Sequence, residues 1–232
     1  MANLLDKASI ILTPTAYSDG KMHSAKPIVS TNPSVGDFDF ARASVATRVN
    51  EQGLIEEVAS GLPRIDYTDG SGSWLLEPAS TNLVLTSDGG VYGSAPASET
   101  LTISPDGTNN AVIPTSSSNS NRYQQDVTGG TYATNTLLTY SWYRKRISTP
   151  VLSSFVGDLK SVSNVNLTIS EVATQIESDI NGFDRFQVVV QITDGALASI
   201  FRAYFGEIVG VGNSSIAYFG HQYEVNSYAT SY

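Results

Sequence analysis

The second half of the chain alternates apolar and polar residues with the period of two that is typical of β-strands. Within residues 136 to 146, Leu138, Tyr140 and Trp142 alternate with hydroxyl-bearing residues, so one face of this segment is apolar. Similar patterns predict strands at residues 99 to 104, 110 to 114, 121 to 128, 136 to 146, 151 to 158, 164 to 172, 183 to 193, 199 to 209 and 214 to 224. This spacing, with Gly- and Asn-containing turns between the strands, favours an all-β fold with an antiparallel β-sandwich.

Residues 37 to 85 contain shorter alternating runs. Phe38 and Phe40 project to one face of a short strand, while Asp37 and Asp39 project to the other. Turn-forming Gly and Asn residues interrupt the region often, so its strands are predicted to be very short. We expect such a region to have too small a core of its own and to complete it by packing against another chain.

The first 36 residues contain frequent Gly and Pro residues, which leave no room for a regular element longer than a few residues. Their opening stretch, residues 4 to 13, fits either a short helix or an extended apolar run. We interpret the segment as an extended arm that lies along a neighbouring subunit. The chain is thus divided into this arm (1–36), a short-strand attachment region with its linker (37–98) and the sandwich (99–232).

Composition and charge narrow the range of partners. The chain has 232 residues and a formal net charge of −9, whereas nucleic acids and anionic membrane surfaces attract clustered Lys and Arg. We therefore predict neither of these partners. The absence of cysteine excludes disulfides and thiolate metal sites and agrees with assembly in a reducing cytoplasm. No signal-like N-terminal segment and no apolar run of membrane-spanning length are predicted.

Three motifs in the front part carry a family resemblance. They are FDFARASVATRVNEQGLIEEV at residues 38 to 58, PRIDY at 63 to 67 and LLEPASTNL at 75 to 83. Together they closely resemble a segment that recurs in virion proteins of tailed bacteriophages, chiefly the fibre-like proteins of head or tail.

The second half resembles the jelly-roll domain, similar to carbohydrate-binding modules, that often follows this segment in phage fibres. The matching pieces are SPDGT at 104 to 108, YQQDV at 123 to 127, YSWYRK at 140 to 145 and YFGHQYEVNSYATSY at 218 to 232. His221 and Tyr223 depart from the small and aliphatic residues that are usual in the last motif. The resemblance covers nearly the whole chain and implies a jelly-roll-like β-sandwich.

The resemblance implies a structural, non-enzymatic role in the virion. It indicates a short homotrimeric fibre or decoration protein on the capsid, as a head fibre, or on the tail. The N-terminal region would attach to a capsid or tail protein after assembly in the cytoplasm of the bacterial host. The alternative is a carbohydrate-binding module of a receptor-recognising tail fibre that binds host surface polysaccharide. A depolymerase-like glycosidase ranks third, because no internal repeat of the β-helix type occurs.

The candidate interchain and attachment residues all lie in the 37–98 region. They are Phe38, Phe40, Arg42, Arg48, Arg64, Tyr67, Trp74, Leu76, Glu77 and Asn82. The charged members of this set lie among apolar residues, and a buried unpaired charge is costly. We therefore expect these charges to pair or to bond to the backbone across the junction of this region with its neighbour, with plain surface exposure as the alternative.

The sequence offers little candidate chemistry. His23 and His221 are the two histidines of the chain, and no nucleophile, metal-ligand or cofactor motif accompanies them. We predict no catalytic residue, no metal site and no cofactor. The oxygen-rich loop at 106 to 110 suits calcium but lacks a spaced ligand motif, so bound calcium stays an open alternative.

Glycan recognition requires aromatic side chains that face outward beside polar groups. Tyr143 and its neighbour Arg144 are the best candidates for outward groups, and Tyr123 is a third candidate. Core packing or a subunit interface is the alternative for each aromatic residue, since strand residues lie on both faces of a sheet.

Overall fold

The computed structural model of the chain describes residues 12–18, 20–24, 38–84, 98–116, 123–128, 132–147, 158–161, 167–169, 174–192, 200–205, 212–213 and 216–232. The chain forms two compact units. The N-terminal unit comprises Met1–Glu77 together with Ser231, and the C-terminal unit comprises Pro78–Thr230 together with Tyr232. The division falls after Glu77, ahead of the boundary at residue 98 that the sequence suggested. Residues 78 to 84 therefore belong to the C-terminal unit.

Short strands in small antiparallel sheets build the described part of the N-terminal unit. They are β1 (Leu12–Ser18), β2 (Lys21–Ser24), β3 (Phe38–Asp39), β4 (Ala46–Val49), β5 (Ile55–Val58), β6 (Ile65–Asp66) and β7 (Ser73–Trp74). Strands β1, β2 and β3 form one sheet, β4 and β5 a second, and β6 and β7 a third.

The structure corrects the interpretation of residues 12 to 24. An arm without regular elements longer than a few residues is wrong for this stretch, because β1 spans seven residues and pairs with β2 in the same chain. Gly20 lies between the two strands with a φ of 75°, a conformation that glycine adopts without steric strain. The rest of the predicted arm, residues 1–11, 19 and 25–36, lies outside the described residues.

The C-terminal unit is an antiparallel β-sandwich. Its strands are β8 (Ser98–Thr102), β9 (Ala111–Ser116), β10 (Tyr123–Thr128), β11 (Leu137–Arg146), β12 (Asp158–Ser161), β13 (Leu167–Ile169), β14 (Thr174–Ile180), β15 (Phe183–Ile192), β16 (Ile200–Phe205), β17 (Gly212–Asn213) and β18 (Ile216–Glu224). A large curled sheet has the order β13-β15-β11-β18-β9-β17, with β14 also paired to β15 and β8 to β9. A smaller sheet has the order β10-β16-β12.

The predicted all-β class with a jelly-roll-like antiparallel sandwich is confirmed. Strands β11 and β15 match the predicted segments at 136 to 146 and 183 to 193 to within one residue at each end, and they pair with each other. Strand β14 was not predicted. The predicted strand at 151 to 158 meets β12 only at Asp158, and its other residues lie outside the described part. No helix in the described residues is long and apolar enough to cross a bilayer.

The apolar core lies on one face of the large sheet. Its buried members are Val84, Val112, Leu138, Tyr140, Trp142, Phe186, Val188, Val190, Ile192, Ile216, Tyr218 and Tyr223. Trp142 stacks between Tyr140 and Phe186, with ring centroids 5.4 and 6.1 Å apart. The alternate residues of β11 and β15 project to the opposite face, where the polar residues described below are found.

Candidate functional site

A β-bulge reshapes the pairing of β11 with β18. Trp142 lies opposite both Gly220 and His221, because the register shifts by one residue at this point. Gly220 has a φ of 64°, and a Cβ placed on it would lie 2.9 Å from Cδ2 of Tyr143. Both the backbone conformation and the close approach require glycine here. The ring of Tyr143 therefore packs directly against the backbone of β18.

Arg185 is the centre of a polar cluster on the sheet face opposite the apolar core. Its side chain is buried, with 1% of its surface exposed. The guanidinium group donates hydrogen bonds to Glu177 Oε1 at 2.9 Å, to Ser141 Oγ at 3.3 Å and to Gln222 Oε1. The Tyr143 ring lies beside it, 5.2 Å from Cζ to the ring centroid, and the Tyr143 hydroxyl donates to Glu177 Oε2 at 2.8 Å.

The environment of Arg185 keeps it charged. Burial alone would disfavour the cation, but attraction to Tyr143 and to Glu177 outweighs this effect and raises the pKa of Arg185. The Nε atom of Arg185 is buried and has no hydrogen-bond partner among the described residues. One donor of the guanidinium group is thus left over in an otherwise bonded cluster.

Residues 225–230, which we call the C-terminal strap, bond to this polar face. The strap follows β18 and is held through its backbone by side chains of the sheet and through the hydroxyl of its own Thr230. The bonds run from Thr139 Oγ1 to Asn226 O (2.8 Å), from Ala229 N to Gln187 Oε1 (3.0 Å), from Thr230 N to Glu224 Oε2 (3.0 Å), from Thr230 Oγ1 to Glu224 Oε1 (2.5 Å) and from Arg185 Nη2 to Thr230 O (2.5 Å). The strap thereby covers the charged cluster.

His221 is buried beside the aromatic core. Its Nδ1 lies 2.7 Å from the Tyr140 hydroxyl, and the two rings are stacked with centroids 6.2 Å apart. Burial lowers the pKa of His221 to about 3, so the imidazole is neutral at pH 7, and Nδ1 shares with the Tyr140 hydroxyl a hydrogen bond whose donor is set by the tautomer. His221 is thus a hydrogen-bonded histidine of the core.

The structure corrects one glycan candidate. Tyr143 is not an outward group, because only 2% of its surface is exposed and the Tyr232 ring packs on it edge-on at 6.4 Å. Arg144 is half-buried, and its Cζ lies 3.9 Å from the centroid of the Phe186 ring. Tyr123 lies in β10, and its side chain is outside the described part. Glycan contact by Arg144 and Tyr123 stays a prediction.

In the N-terminal unit, Arg42 binds several backbone carbonyl groups. Its guanidinium group donates to Val58 O at 2.9 Å, Ala59 O at 2.6 Å and Leu62 O at 3.1 Å, and also to Ser44 O. Five donors in a fixed plane suit this role. Arg42 therefore bonds to backbone within the N-terminal unit, and bonding across the junction stays a prediction.

Arg48 spans two of the small sheets. Its Nε donates to Glu56 Oε1 at 2.7 Å across the β4–β5 pair, and Nη1 donates to Ile65 O at 3.0 Å. Asn50 Nδ2 donates to the other carboxylate oxygen of Glu56 at 3.0 Å. The hydrogen bond from Asn50, and then that from Arg48, lower the pKa of Glu56 against the opposing effect of burial. Arg48 is therefore paired within the N-terminal unit.

Arg64 and Glu77 form a buried ion pair of 2.8 Å, in which the arginine is 6% exposed. Arg64 Nη1 also donates to Thr47 O at 3.1 Å and to Ser231 Oγ at 2.5 Å. Glu77 Oε1 accepts a hydrogen bond from Ser231 N at 2.9 Å. Both charges are therefore bonded within this chain.

Aromatic contacts join the first and third sheets. The Phe40 ring meets Tyr17 edge-on at 6.0 Å and Trp74 at 6.4 Å. The indole Nε1 of Trp74 is buried, and no hydrogen-bond partner for it lies in the part of the chain that the structure describes. The Tyr67 ring packs over Gly72, where an added Cβ would approach it to 3.1 Å.

The remaining interchain candidates differ in position. Leu76 is 74% exposed. Asn82 belongs to the C-terminal unit, where it accepts a hydrogen bond from Tyr223 N at 3.0 Å and donates one to His221 O at 3.1 Å. The Phe38 side chain lies outside the described residues. An interchain role stays a prediction for all members of the set.

The oxygen-rich loop after β8 uses its carboxylate internally. Asp106 Oδ1 accepts hydrogen bonds from Ser104 Oγ at 2.5 Å, from Thr108 N at 2.9 Å and from Thr108 Oγ1 at 2.8 Å. Burial is the largest single effect on this carboxyl and by itself would raise its pKa. The hydrogen bonds together outweigh burial, so the pKa of Asp106 is lowered. Within the described ranges, no three His, Asp or Glu side chains come together as a metal site.

Sequence reasoning missed the Arg185 cluster. The signal was a charged residue between Phe183 and Phe186, inside a strand whose residues are all buried or half-buried. Its partners Ser141, Gln222 and the strap are 37 to 45 residues away in sequence, and local patterns carry no information on such pairings. No protein-family model matches the chain, and no curated protein matches it either.

Proposed function

We propose that the chain is a non-enzymatic structural protein of a tailed-bacteriophage virion. In this proposal it is a short homotrimeric fibre or decoration protein on the capsid or the tail, and it attaches through its N-terminal unit. The motifs at residues 38 to 83 and in the second half support the virion assignment. The observation that carries the attachment role is the small apolar interior of the N-terminal unit.

The apolar interior differs sharply between the units. Among the described residues, only Val49, Ile55 and Val58 are buried apolar side chains of the N-terminal unit, against eighteen in the C-terminal unit. A region with so little buried apolar surface gains little free energy from folding alone. Contacts with another chain are an effective way to add to it.

Apolar side chains on the surface of the N-terminal unit support the same proposal. Leu76, Val45 and Leu62 are 74%, 51% and 46% exposed. Arg42 bonds to the carbonyl groups of Ser44 and Leu62, which brings the segments of Val45 and Leu62 to one place on the unit. These side chains are the candidate contacts with the capsid or tail protein.

The location is tested on purified phage particles that carry a labelled copy of the chain. Gold-labelled copies are expected at a fixed position on the head or the tail in electron micrographs. Finding the chain only in the host lysate, with none on purified particles, would overturn the proposal.

A matched pair of variants tests the attachment surface. Leu76→Asp places a charge on the proposed contact, whereas Leu101→Asp places one on an exposed leucine of the C-terminal unit. We expect Leu76→Asp to lower incorporation into particles about tenfold, which corresponds to roughly 1.4 kcal/mol of binding, and Leu101→Asp to leave incorporation unchanged. Equal incorporation of both variants would rule out Leu76 as a contact.

Glycan recognition by the C-terminal unit has less support. Its leading aromatic candidate, Tyr143, is buried, and a buried ring offers no face for a sugar.

A further inference from the structure

The C-terminal strap, residues 225–230, is bound to the sheet in the manner of a ligand. The groups that hold its backbone are side chains of Thr139, Arg185, Gln187 and Glu224, which lie on three different strands. Side chains that converge on an extended segment form an acceptor site for it, as pockets do for a bound peptide. The site exists in every copy of the chain, and so does the segment that fills it.

The acceptor site binds one side chain of the strap as well as its backbone, that of Thr230. Glu224 receives both the backbone N–H and the hydroxyl of Thr230, at 3.0 and 2.5 Å, and Arg185 donates to the carbonyl of the same residue at 2.5 Å. Charge-assisted bonds of this kind are about twice as strong as neutral ones. Thr230 is therefore the anchor of the strap, and it is buried with 7% of its surface exposed.

The residues between β18 and this anchor are poorly covered. Val225 and Tyr228 are 50% and 40% exposed, and Ser227 is exposed as well. Apart from the hydrogen bonds of Asn226 O and Ala229 N to the acceptor site, this connection has little buried surface to expose when its path changes, which is the condition for a hinge. The exposed Val225 and Tyr228 also give this connection apolar surface that a second copy can cover.

We propose that the acceptor site binds the C-terminal strap of a second copy of this chain, so that neighbouring protomers exchange their straps. Exchange of an identical element keeps every hydrogen bond of the closed form and costs little free energy. Within an oligomer, the strap of the neighbour meets the site at a high effective concentration. The inference rests on the proposed homotrimer and names the segment that links its protomers.

A crosslinking experiment on the full chain distinguishes exchange from closure within one copy. The chain contains no cysteine, so each introduced thiol is the sole one in its copy. Gln187→Cys marks the acceptor site and Ala229→Cys marks the strap, at a pair of positions joined by a 3.0 Å hydrogen bond. The two single variants are refolded together and treated with a short bismaleimide.

Exchange predicts a crosslinked product that contains one copy of each variant. Its yield should exceed by at least about tenfold that of a control mixture of Gln187→Cys with Asp69→Cys, an exposed position of the N-terminal unit, since an effective concentration in the millimolar range applies only to the docked strap. The double variant Gln187→Cys/Ala229→Cys should likewise give products between chains. A double variant that crosslinks only within single chains, with a mixture at the control level, would overturn the inference.

The mass of the wild-type oligomer distinguishes a failure of this inference from a failure of the proposed function. A trimer by sedimentation with no crosslink in the mixture rejects strap exchange and leaves the virion proposal in place. A monomer that is also absent from particles rejects both. Thr230→Val, which removes the hydroxyl that binds Glu224, should weaken the exchanged oligomer about tenfold, while Thr174→Val at an exposed position should not change it.

Discussion

Arginine side chains perform in the N-terminal unit the role that stacked aromatic rings perform in the C-terminal unit. Arg42, Arg48 and Arg64 bind backbone carbonyl groups of several short segments, whereas Trp142 and its neighbours fill a continuous apolar core. An arginine can connect short strands that have too few apolar residues to bury. The contrast shows that one chain uses two means of stabilisation. The N-terminal unit uses hydrogen bonds to fixed carbonyl groups, and the C-terminal unit uses apolar burial.

The comparison predicts that truncation in the aromatic core has the largest effect. Trp142 is fully buried, so Trp142→Ala should lower the free energy of unfolding of the C-terminal unit by about 3–5 kcal/mol. Urea unfolding followed by circular dichroism measures this change. Leu137→Ala, at a partly exposed position of the same strand, is the control, and it should cost far less. A loss below about 1 kcal/mol for Trp142→Ala would contradict the role given to the core.

Removal of the buried charge of Arg185 is expected to have the next largest effect on the free energy of unfolding. Arg185→Met removes the partner of Glu177, whose side chain is 22% exposed. The loss should be about 2–3 kcal/mol, near the lower end for a broken buried pair, because solvent reaches the remaining carboxylate. Arg146→Met, at an exposed position of β11, controls for the loss of a surface charge. If the two variants unfold at the same urea concentration, the cluster does not stabilise the fold.

His221 makes the C-terminal unit sensitive to acid. Its pKa is about 3 in the folded chain against an ordinary 6.5, so the unfolded chain binds a proton first as the pH falls. The stabilising contribution is complete above pH 6.5 and is lost progressively toward pH 3.

Between pH 6.5 and 5 this loss amounts to about 2 kcal/mol, at 1.36 kcal/mol per pH unit. His221→Gln removes the titrating group, and its stability should decline less by this amount over the same interval. Denaturant unfolding at the two pH values gives the comparison. Parallel pH profiles for the two proteins would show that His221 does not titrate in this way.

The smallest effect is expected from a change of geometry in the N-terminal unit. Arg42→Lys keeps the charge but loses the planar group that reaches several carbonyls, so the unit should be destabilised by about 1 kcal/mol. Hydrogen exchange of the Gly61 amide, which donates to Arg42 O at 2.8 Å, reports this locally. Arg146→Lys serves as the control. Unchanged exchange at Gly61 would mean that a simple cation suffices.

Alternation in the sequence was sufficient to predict the central strands. Leu138, Tyr140 and Trp142 do line the core, and Tyr143 does project to the other face of the sheet. Alternation does not show whether other segments of the chain cover this second face of the sheet. The strap and Tyr232 arrive from the end of the chain, and no local pattern specifies such a long-range contact.

Strand β14 and the β1–β2 hairpin were missed for local reasons. The segment at β14 has irregular alternation, and its pairing with β15 shifts register twice, so a period of two is not maintained. In β1, Pro14 interrupts the strand pattern, and the pairing with β2 shifts register between Leu12 and Tyr17. A regular period of two is therefore not visible in this segment. The sequence could predict that the arginines need partners, because burial of an unpaired cation is costly. It could not predict which carbonyl groups they bind.

Gly220 has a consequence for how the sequence can drift. Two constraints act on this position. The backbone is left-handed, and the Tyr143 ring would lie 2.9 Å from an added Cβ. Gly53 shares the first constraint, with a φ of 76°, but has nothing within 4 Å of an added Cβ. In a library with every residue at both positions, selection for folded protein should retain glycine alone at 220 and admit asparagine at 53.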